Sequence, residues 1–161
     1  MDKKIIFVLI VLCASLLLFG CTQTPASTNS FQSVDNSICK IDGKPVVRMY
    51  GTNICPHCIW VGPTYDAVVK KYADENKIVA YHWNWIVTDA NVPADDLLTP
   101  NFEGTMPASE KAVFDNFSPN GYVPAFVFGC KYYRIGNEFE QQNDLNAERA
   151  EFERVIQELL K

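Results

Sequence analysis

The sequence predicts a single α/β domain in which a central mixed sheet is flanked by helices. Two β-rich runs, KPVVRMYG over residues 44–51 and KIVAYHWNW over 77–85, enclose a segment with helical periodicity. Strand, helix and strand in this order form a βαβ unit, whose two strands lie parallel with a right-handed crossover. The chain has 161 residues, of which 48% are hydrophobic, enough for one compact core.

The first helix is predicted to begin at Pro56, because the first helical position tolerates the missing N–H of proline. Apolar residues then recur at i, i+3, i+4 and i+7, a spacing that gives the helix one buried stripe. These residues are Tyr65, Val68, Val69 and Tyr72.

The remaining elements follow in order. Residues 86–107 contain three prolines and no clear period, and we expect them to leave the second strand as an irregular segment. Residues 109–117 predict a short helix. VPAFVFG (123–129) and KYYRIG (131–136) predict a hairpin that turns at Gly129-Cys130, and 146–160 predict a last amphipathic helix.

The N-terminus is typical of an export signal. Lys3 and Lys4 precede fifteen uncharged residues, 5–19, and a small residue stands before Cys21. The run LFGC resembles a lipobox, which implies a signal over 1–20 and a lipid on Cys21; the alternative is an uncleaved anchor. Residues 21–38 are polar and predict a flexible tether, so the folded domain is expected over 39–161. Either reading places the domain on the extracytoplasmic face of the membrane.

The charge and the cysteines limit the function. Loss of residues 1–20 would leave a net charge of −6, and so acidic a domain is not expected to bind nucleic acid. Four cysteines remain after Cys13 and Cys21, and cysteines outside the cytoplasm tend to be oxidised. They are Cys39, Cys55, Cys58 and Cys130.

The stretch Cys55-Pro56-His57-Cys58 fits three readings: a redox pair, half of a zinc site, or an inert disulfide. A structural zinc site needs two further ligands, and the available candidates are His57, His82, Cys39 and Cys130. A redox pair needs a thiolate, which the N-terminal end of a helix stabilises at Cys55. We therefore favour redox chemistry, with no metal and no cofactor beyond the two thiols.

The order of elements, together with three motifs, resembles the thioredoxin superfamily over residues 39–161. Pro63 stands eight residues after Cys55, where members carry a proline that kinks the first helix. Val123-Pro124 matches the cis-proline that faces the redox pair, and Cys-Pro-His-Cys is similar to the active site of Dsb-type thiol oxidases. The resemblance implies a thioredoxin-like fold in which Val123 and Pro124 bind an extended substrate segment.

The resemblance also implies roles for the site residues. Cys55 is expected to be the exposed nucleophile and Cys58 the resolving thiol. His57 is expected to stabilise the Cys55 thiolate with a charge or a hydrogen bond to the sulfur, which favours the reduced form and makes the pair oxidising. If the strands pair as in the resembling fold, Cys39 and Cys130 meet at the opposite pole and form a structural disulfide.

Two features depart from the pattern. The helical insertion of the Dsb oxidases is replaced by about twenty residues, so the substrate groove is expected to differ. Many members place a buried acid six residues before the first cysteine as proton carrier for the second, and this chain has Met49 there. His82, Tyr81 and water are the candidates that remain for this task.

The sequence thus predicts an exported, membrane-tethered thiol-disulfide oxidoreductase that forms disulfides in exported proteins or peptides. Similarity to the Dsb system implies a quinone-linked membrane partner. Two alternatives stay open: a reductase or isomerase kept reduced by a membrane electron carrier, and a metal-binding module that uses the same two thiols.

Overall fold

The computed structural model describes residues 30–87 and 93–161 and has a mixed α/β fold in one domain. Its three helices within these residues are α1 (Pro56–Asp74), α2 (Ala108–Phe117) and α3 (Leu145–Leu159). Its strands there are β1 (Gln32–Ser33), β2 (Lys40–Ile41), β3 (Lys44–Thr52), β4 (Val79–Trp85), β5 (Ala94–Asp96), β6 (Ala125–Phe128) and β7 (Tyr132–Ile135).

The sheet has the order β1-β7-β6-β3-β4-β5, with β2 paired to the start of β3. Strand β3 runs parallel to β4 and antiparallel to β6, so the sheet is mixed. The predicted βαβ unit, the β6–β7 hairpin and the three helices are confirmed with small shifts of their ends. The hairpin turns through Gly129 and Cys130, which both have positive φ.

Strands β3 and β6 bury side chains alternately on the two faces of the sheet, and helices cover both faces. Val47, Met49 and Phe126 join the core beneath α1 and α3. Tyr50 and Val127 join the core on the other face, with Phe114 of α2 in the same cluster. The centre of the sheet is therefore buried on both sides, and the chain passes from the end of β3 to Cys55.

Residues 30–38, which the composition predicted to belong to a tether, fold onto the sheet. Strand β1 pairs antiparallel with β7. Phe31 is 3% exposed and packs on Phe128 with ring centroids 4.9 Å apart. A single aromatic residue thus anchors a polar segment whose composition predicted a tether. The predicted signal over 1–20 and the lipid site at Cys21 lie outside the described residues.

The segment 86–107 also contains structure that the sequence did not reveal. Strand β5 pairs antiparallel with the end of β4, and Asp96 accepts a hydrogen bond from the backbone N–H of His82 at 2.8 Å. Within residues 30–87 and 93–161, no helix is both long and apolar enough to cross a bilayer.

Candidate active site

Cys55 lies at the N-cap of α1, directly after β3. Its backbone is extended, with φ −88° and ψ 109°, and Pro56 begins the helix. The backbone N–H of Cys58 donates to Cys55 Sγ at 3.1 Å, and the first turn of α1 contains no acidic residue. Free N–H groups and the positive end of the helix dipole therefore face this sulfur, an environment that favours a thiolate.

Cys58 lies one turn into α1 and forms a disulfide with Cys55. It is 4% exposed, whereas Cys55 is half-buried. Gly51 of β3 makes room for it: a Cβ at residue 51 would stand 3.2 Å from Cys58 Cβ. The two sulfurs thus differ in access, and an incoming thiolate reaches Cys55 first.

The Val123–Pro124 peptide bond is cis and lies beside the cysteines. Cys55 Sγ is 3.9 Å from the carbonyl oxygen of Val123. Pro124 is buried and Val123 is half-buried. The structure therefore brings together Cys55 and Cys58 at the start of α1 and Val123 and Pro124 directly before β6.

His57 is exposed, and its ring bonds to a partner that the sequence did not predict. Nδ1 lies 2.8 Å from each carboxylate oxygen of Glu140, in the loop between β7 and α3. Asn137 Nδ2 donates to the backbone carbonyl of His57 at 3.0 Å and to Glu140 at 2.8 Å. The expectation for His57 was a charge near the Cys55 sulfur or a hydrogen bond to it; the described contacts show no such hydrogen bond, and the ring bonds to Glu140 instead.

The carboxylate of Glu140 largely determines the electrostatics around the His57 ring. Burial works against its charge, but the hydrogen bonds from Asn137 and His57 outweigh it and hold the pKa of Glu140 below its ordinary value. The carboxylate is thus charged at neutral pH and offsets any positive charge on His57. Their combined field at Cys55 is weaker than that of His57 alone.

We expect that replacing His57 by Pro will lower the reduction potential of the pair. The variant leaves the Glu140 carboxylate without its partner near Cys55, which destabilises the thiolate of the reduced form; a charge near a helix end is worth about 1 kcal/mol, and about 1.4 kcal/mol corresponds to roughly 30 mV for two electrons. The expected decrease is about 20 mV, measured by equilibration with glutathione.

The double variant His57→Pro/Glu140→Gln is the matched control, because it also removes the unpaired carboxylate. Its potential should return toward that of the unchanged chain. An unchanged or higher potential in His57→Pro would contradict a role of this charge in the redox balance.

Cys39 and Cys130 form a second disulfide, between the segment before β2 and the turn after β6. The backbone N–H of Cys39 donates to the carbonyl of Gly129 at 2.8 Å, and Gly129 donates to Val46 at the start of β3 at 2.7 Å. Because β3 runs toward Cys55, its start marks the pole opposite the CPHC motif. This disulfide is therefore remote from the first one.

Comparisons with known proteins give no family for this chain: a scan against protein-family models finds no match, and a search of curated proteins finds no similar sequence. Across the described residues, no three His, Cys, Asp or Glu side chains cluster in a way that would hold a metal ion.

Three polar residues near the cysteines were missed by the sequence analysis. Asn137 and Glu140 lie in a loop 80 or more residues after His57, and no local pattern connects them to it. Asp66 lies on α1 and binds His82 Nδ1 at 2.7 Å. Its position two turns after Cys58 was the one available signal, since residues at this spacing share a helix face.

Proposed function

We propose that this chain is a thiol-disulfide oxidoreductase with a thioredoxin-like fold and that its redox centre is the Cys55–Cys58 pair. The observation that carries the proposal is the position of Cys55 at the N-cap of α1, where its sulfur accepts the N–H of Cys58 and lies beside the cis Val123–Pro124 bond. A half-exposed nucleophile, a buried partner thiol and an adjacent main chain are the parts that dithiol exchange requires.

The proposed direction is oxidation of substrate thiols. The N–H groups at the start of α1 stabilise a negative charge on Cys55, which exists in the reduced form and not in the disulfide. A pair whose reduced form is stabilised takes electrons from other thiols. The absence of acidic residues from the first turn of α1 supports the same direction.

The surroundings of the pair support a peptide or protein substrate. Ile54 is 66% exposed, Ile59 is 61% exposed and Tyr122 is 64% exposed. These side chains flank Cys55, Cys58 and Val123 in sequence and present apolar surface around the reactive sulfur. Exposed apolar side chains next to an accessible main chain suit an extended, partly unfolded segment.

The proposal includes a location and a partner. An export signal with lipid attachment at Cys21 would tether the domain to the extracytoplasmic face of the membrane, where disulfides persist. After each turnover the reduced pair would be oxidised again, and a quinone-linked membrane protein is the proposed acceptor.

The reduction potential tests the direction. We expect the full-length chain, held in detergent and equilibrated with glutathione buffers, to have a potential well above the roughly −270 mV of thioredoxin and closer to about −120 mV. The oxidised chain should also convert a reduced two-cysteine peptide to its disulfide. A potential near or below about −270 mV would favour the reductase alternative. A stoichiometric metal ion in the purified reduced chain, without exchange activity, would contradict the proposal.

A further inference from the structure

A cavity of about 340 Å³ opens behind the buried cysteine. Its wall includes the side chains of Cys58, Asp66 and His82, with polar groups of Thr52 and Asn84 nearby. Cys58 is the thiol that needs a proton partner, because exchange converts it between disulfide, thiolate and thiol. The cavity has room for water, because one water molecule requires only about 10–15 Å³ of cavity volume.

His82 is 5% exposed, and its ring is held by a hydrogen bond at one nitrogen. Nδ1 bonds to Asp66 Oδ1 at 2.7 Å, so the carboxylate holds the ring and favours a proton on that nitrogen. The described residues give Nε2 no hydrogen-bond partner. Gly62, one turn after Cys58, lets the ring approach the helix: a Cβ there would stand 3.1 Å from His82 Cε1.

We propose that His82 exchanges the proton of Cys58 through water in this cavity and that Asp66 is the positioning residue for its ring. This inference rests on the proposed function, since it assigns the proton step of that reaction. Imidazole is suited to the task because it gains and loses a proton near neutral pH.

The proposed reaction has two exchange steps. A substrate thiolate attacks Cys55 Sγ, the Cys55–Cys58 bond breaks, and Cys58 leaves with the electron pair and receives a proton from the His82 imidazolium. A second substrate thiolate then attacks the substrate sulfur, and Cys55 leaves as a thiolate. The substrate has lost two electrons, the pair has gained them, and His82 regains its proton from solvent. In reverse, His82 takes the proton of Cys58 as that sulfur attacks the mixed disulfide.

The titratable residues Tyr65 and Asp96 also lie close to His82. Tyr65 of α1 packs edge-on against His82 at 5.8 Å, and burial raises its pKa well above the ordinary value, so it stays neutral. Asp96 of β5 binds the backbone N–H of His82 and not its ring. Burial raises the pKa of Asp96, although the N–H groups of His82 and Leu98 oppose this. Asp66 is thus the carboxylate that bonds to the His82 ring.

The test separates the two sulfurs by kinetics. The full-length reduced chain in detergent is mixed with dithiobisnitrobenzoate and quenched with acid, and mass spectrometry follows the peptide that contains Cys55 and Cys58. In the first phase Cys55 attacks the reagent and forms a mixed disulfide; in the second phase Cys58 attacks that mixed disulfide and forms the Cys55–Cys58 disulfide. In His82→Gln we expect the second phase to slow by at least about tenfold at pH 7. Its rate should then rise about tenfold per pH unit, because Cys58 must lose its proton to solvent hydroxide. The first phase should keep its rate and pH profile.

Asp66→Asn provides the second variant, since asparagine keeps a hydrogen-bond acceptor for Nδ1 and removes the charge. We expect a smaller loss in the same phase. Asp74→Asn is the matched control, because Asp74 lies on the same helix and pairs with exposed Lys70; both phases should be unchanged. If His82→Gln does not fold, Asp66→Asn decides.

Each outcome separates the inference from the function. If the mixed disulfide on Cys55 of the unchanged chain does not convert to the Cys55–Cys58 disulfide, the proposed function fails. If it does convert and the second phase of both His82→Gln and Asp66→Asn matches that of the unchanged chain at every pH, the inference is overturned. Equal slowing of both phases would also overturn it, because a general structural effect would then account for the loss.

Discussion

Cys55→Ser is expected to reduce the exchange activity to background, whereas Cys58→Ser is expected to stop turnover with substrate bound. Without Cys55, the chain loses the accessible sulfur at the N-cap and keeps only the buried thiol of Cys58. Without Cys58, Cys55 still attacks a disulfide, but no neighbouring thiol releases the product. Activity is measured as oxidation of a reduced two-cysteine peptide, and the covalent adduct of Cys58→Ser is measured by mass spectrometry under non-reducing conditions after mixing with the oxidised peptide.

The same pair distinguishes nucleophile from resolver. In the reduced chain, alkylation below neutral pH should label Cys55 before Cys58, because Cys55 is more exposed and lies against the helix N-terminus. The double variant Cys39→Ala/Cys130→Ala is the control and should keep the exchange reaction. Earlier labelling of Cys58, or a stable adduct on Cys55→Ser, would reverse the assignment.

The Cys39→Ala/Cys130→Ala variant is expected to lose stability instead of activity. The disulfide joins residues 91 apart, and in the chain-entropy model a closed loop of that length contributes about 4 kcal/mol to the free energy of unfolding. That is a large part of the roughly 5–15 kcal/mol of a typical domain. Urea unfolding of the two chains should show the decrease in midpoint, with a steeper slope because the open unfolded chain exposes more surface.

A decrease of less than about 1 kcal/mol would show that residual structure or hydrogen bonds hold this pole together without the disulfide. Replacing both Cys55 and Cys58 by alanine is the matched comparison. That disulfide closes a loop between residues only 3 apart, so its removal should lower the unfolding free energy less, since the entropy term grows with loop length.

The parts of the fold that the sequence predicted are those with local signals. The helical period after Pro63, the β-rich runs on either side of it and the Gly129-Cys130 turn lie within short windows, and the structure confirms those elements. Phe31 was missed because one aromatic residue in a polar segment has no period. Its burial depends on β7, about a hundred residues later. Strand β5 was missed for a similar reason, since three residues are too few to show alternation.

The candidate site divides in the same way. Cys55 and Cys58 share one turn and were found together as a local motif; their spacing fitted three readings, and the helix start at Pro56 favoured redox chemistry among them. The contact between the His57 ring and Glu140 joins residues 83 apart, and the contact of Asp66 with His82 joins a helix to a strand. Such contacts depend on how elements pack, which a single sequence without local pattern does not determine.

The outer strands of the sheet affect how this chain meets other chains. Strand β1 has two residues and β5 has three, and β5 includes Asp95 and Asp96. Long free edges recruit extended segments through their unpaired N–H and C=O groups, whereas short or charged edges discourage this. If the proposed function is right, this chain meets many such segments in partly unfolded substrates. Because both edges of the described sheet are short, strand addition and co-aggregation are disfavoured there; under the proposed function, an extended substrate would pair with the main chain at Val123 instead.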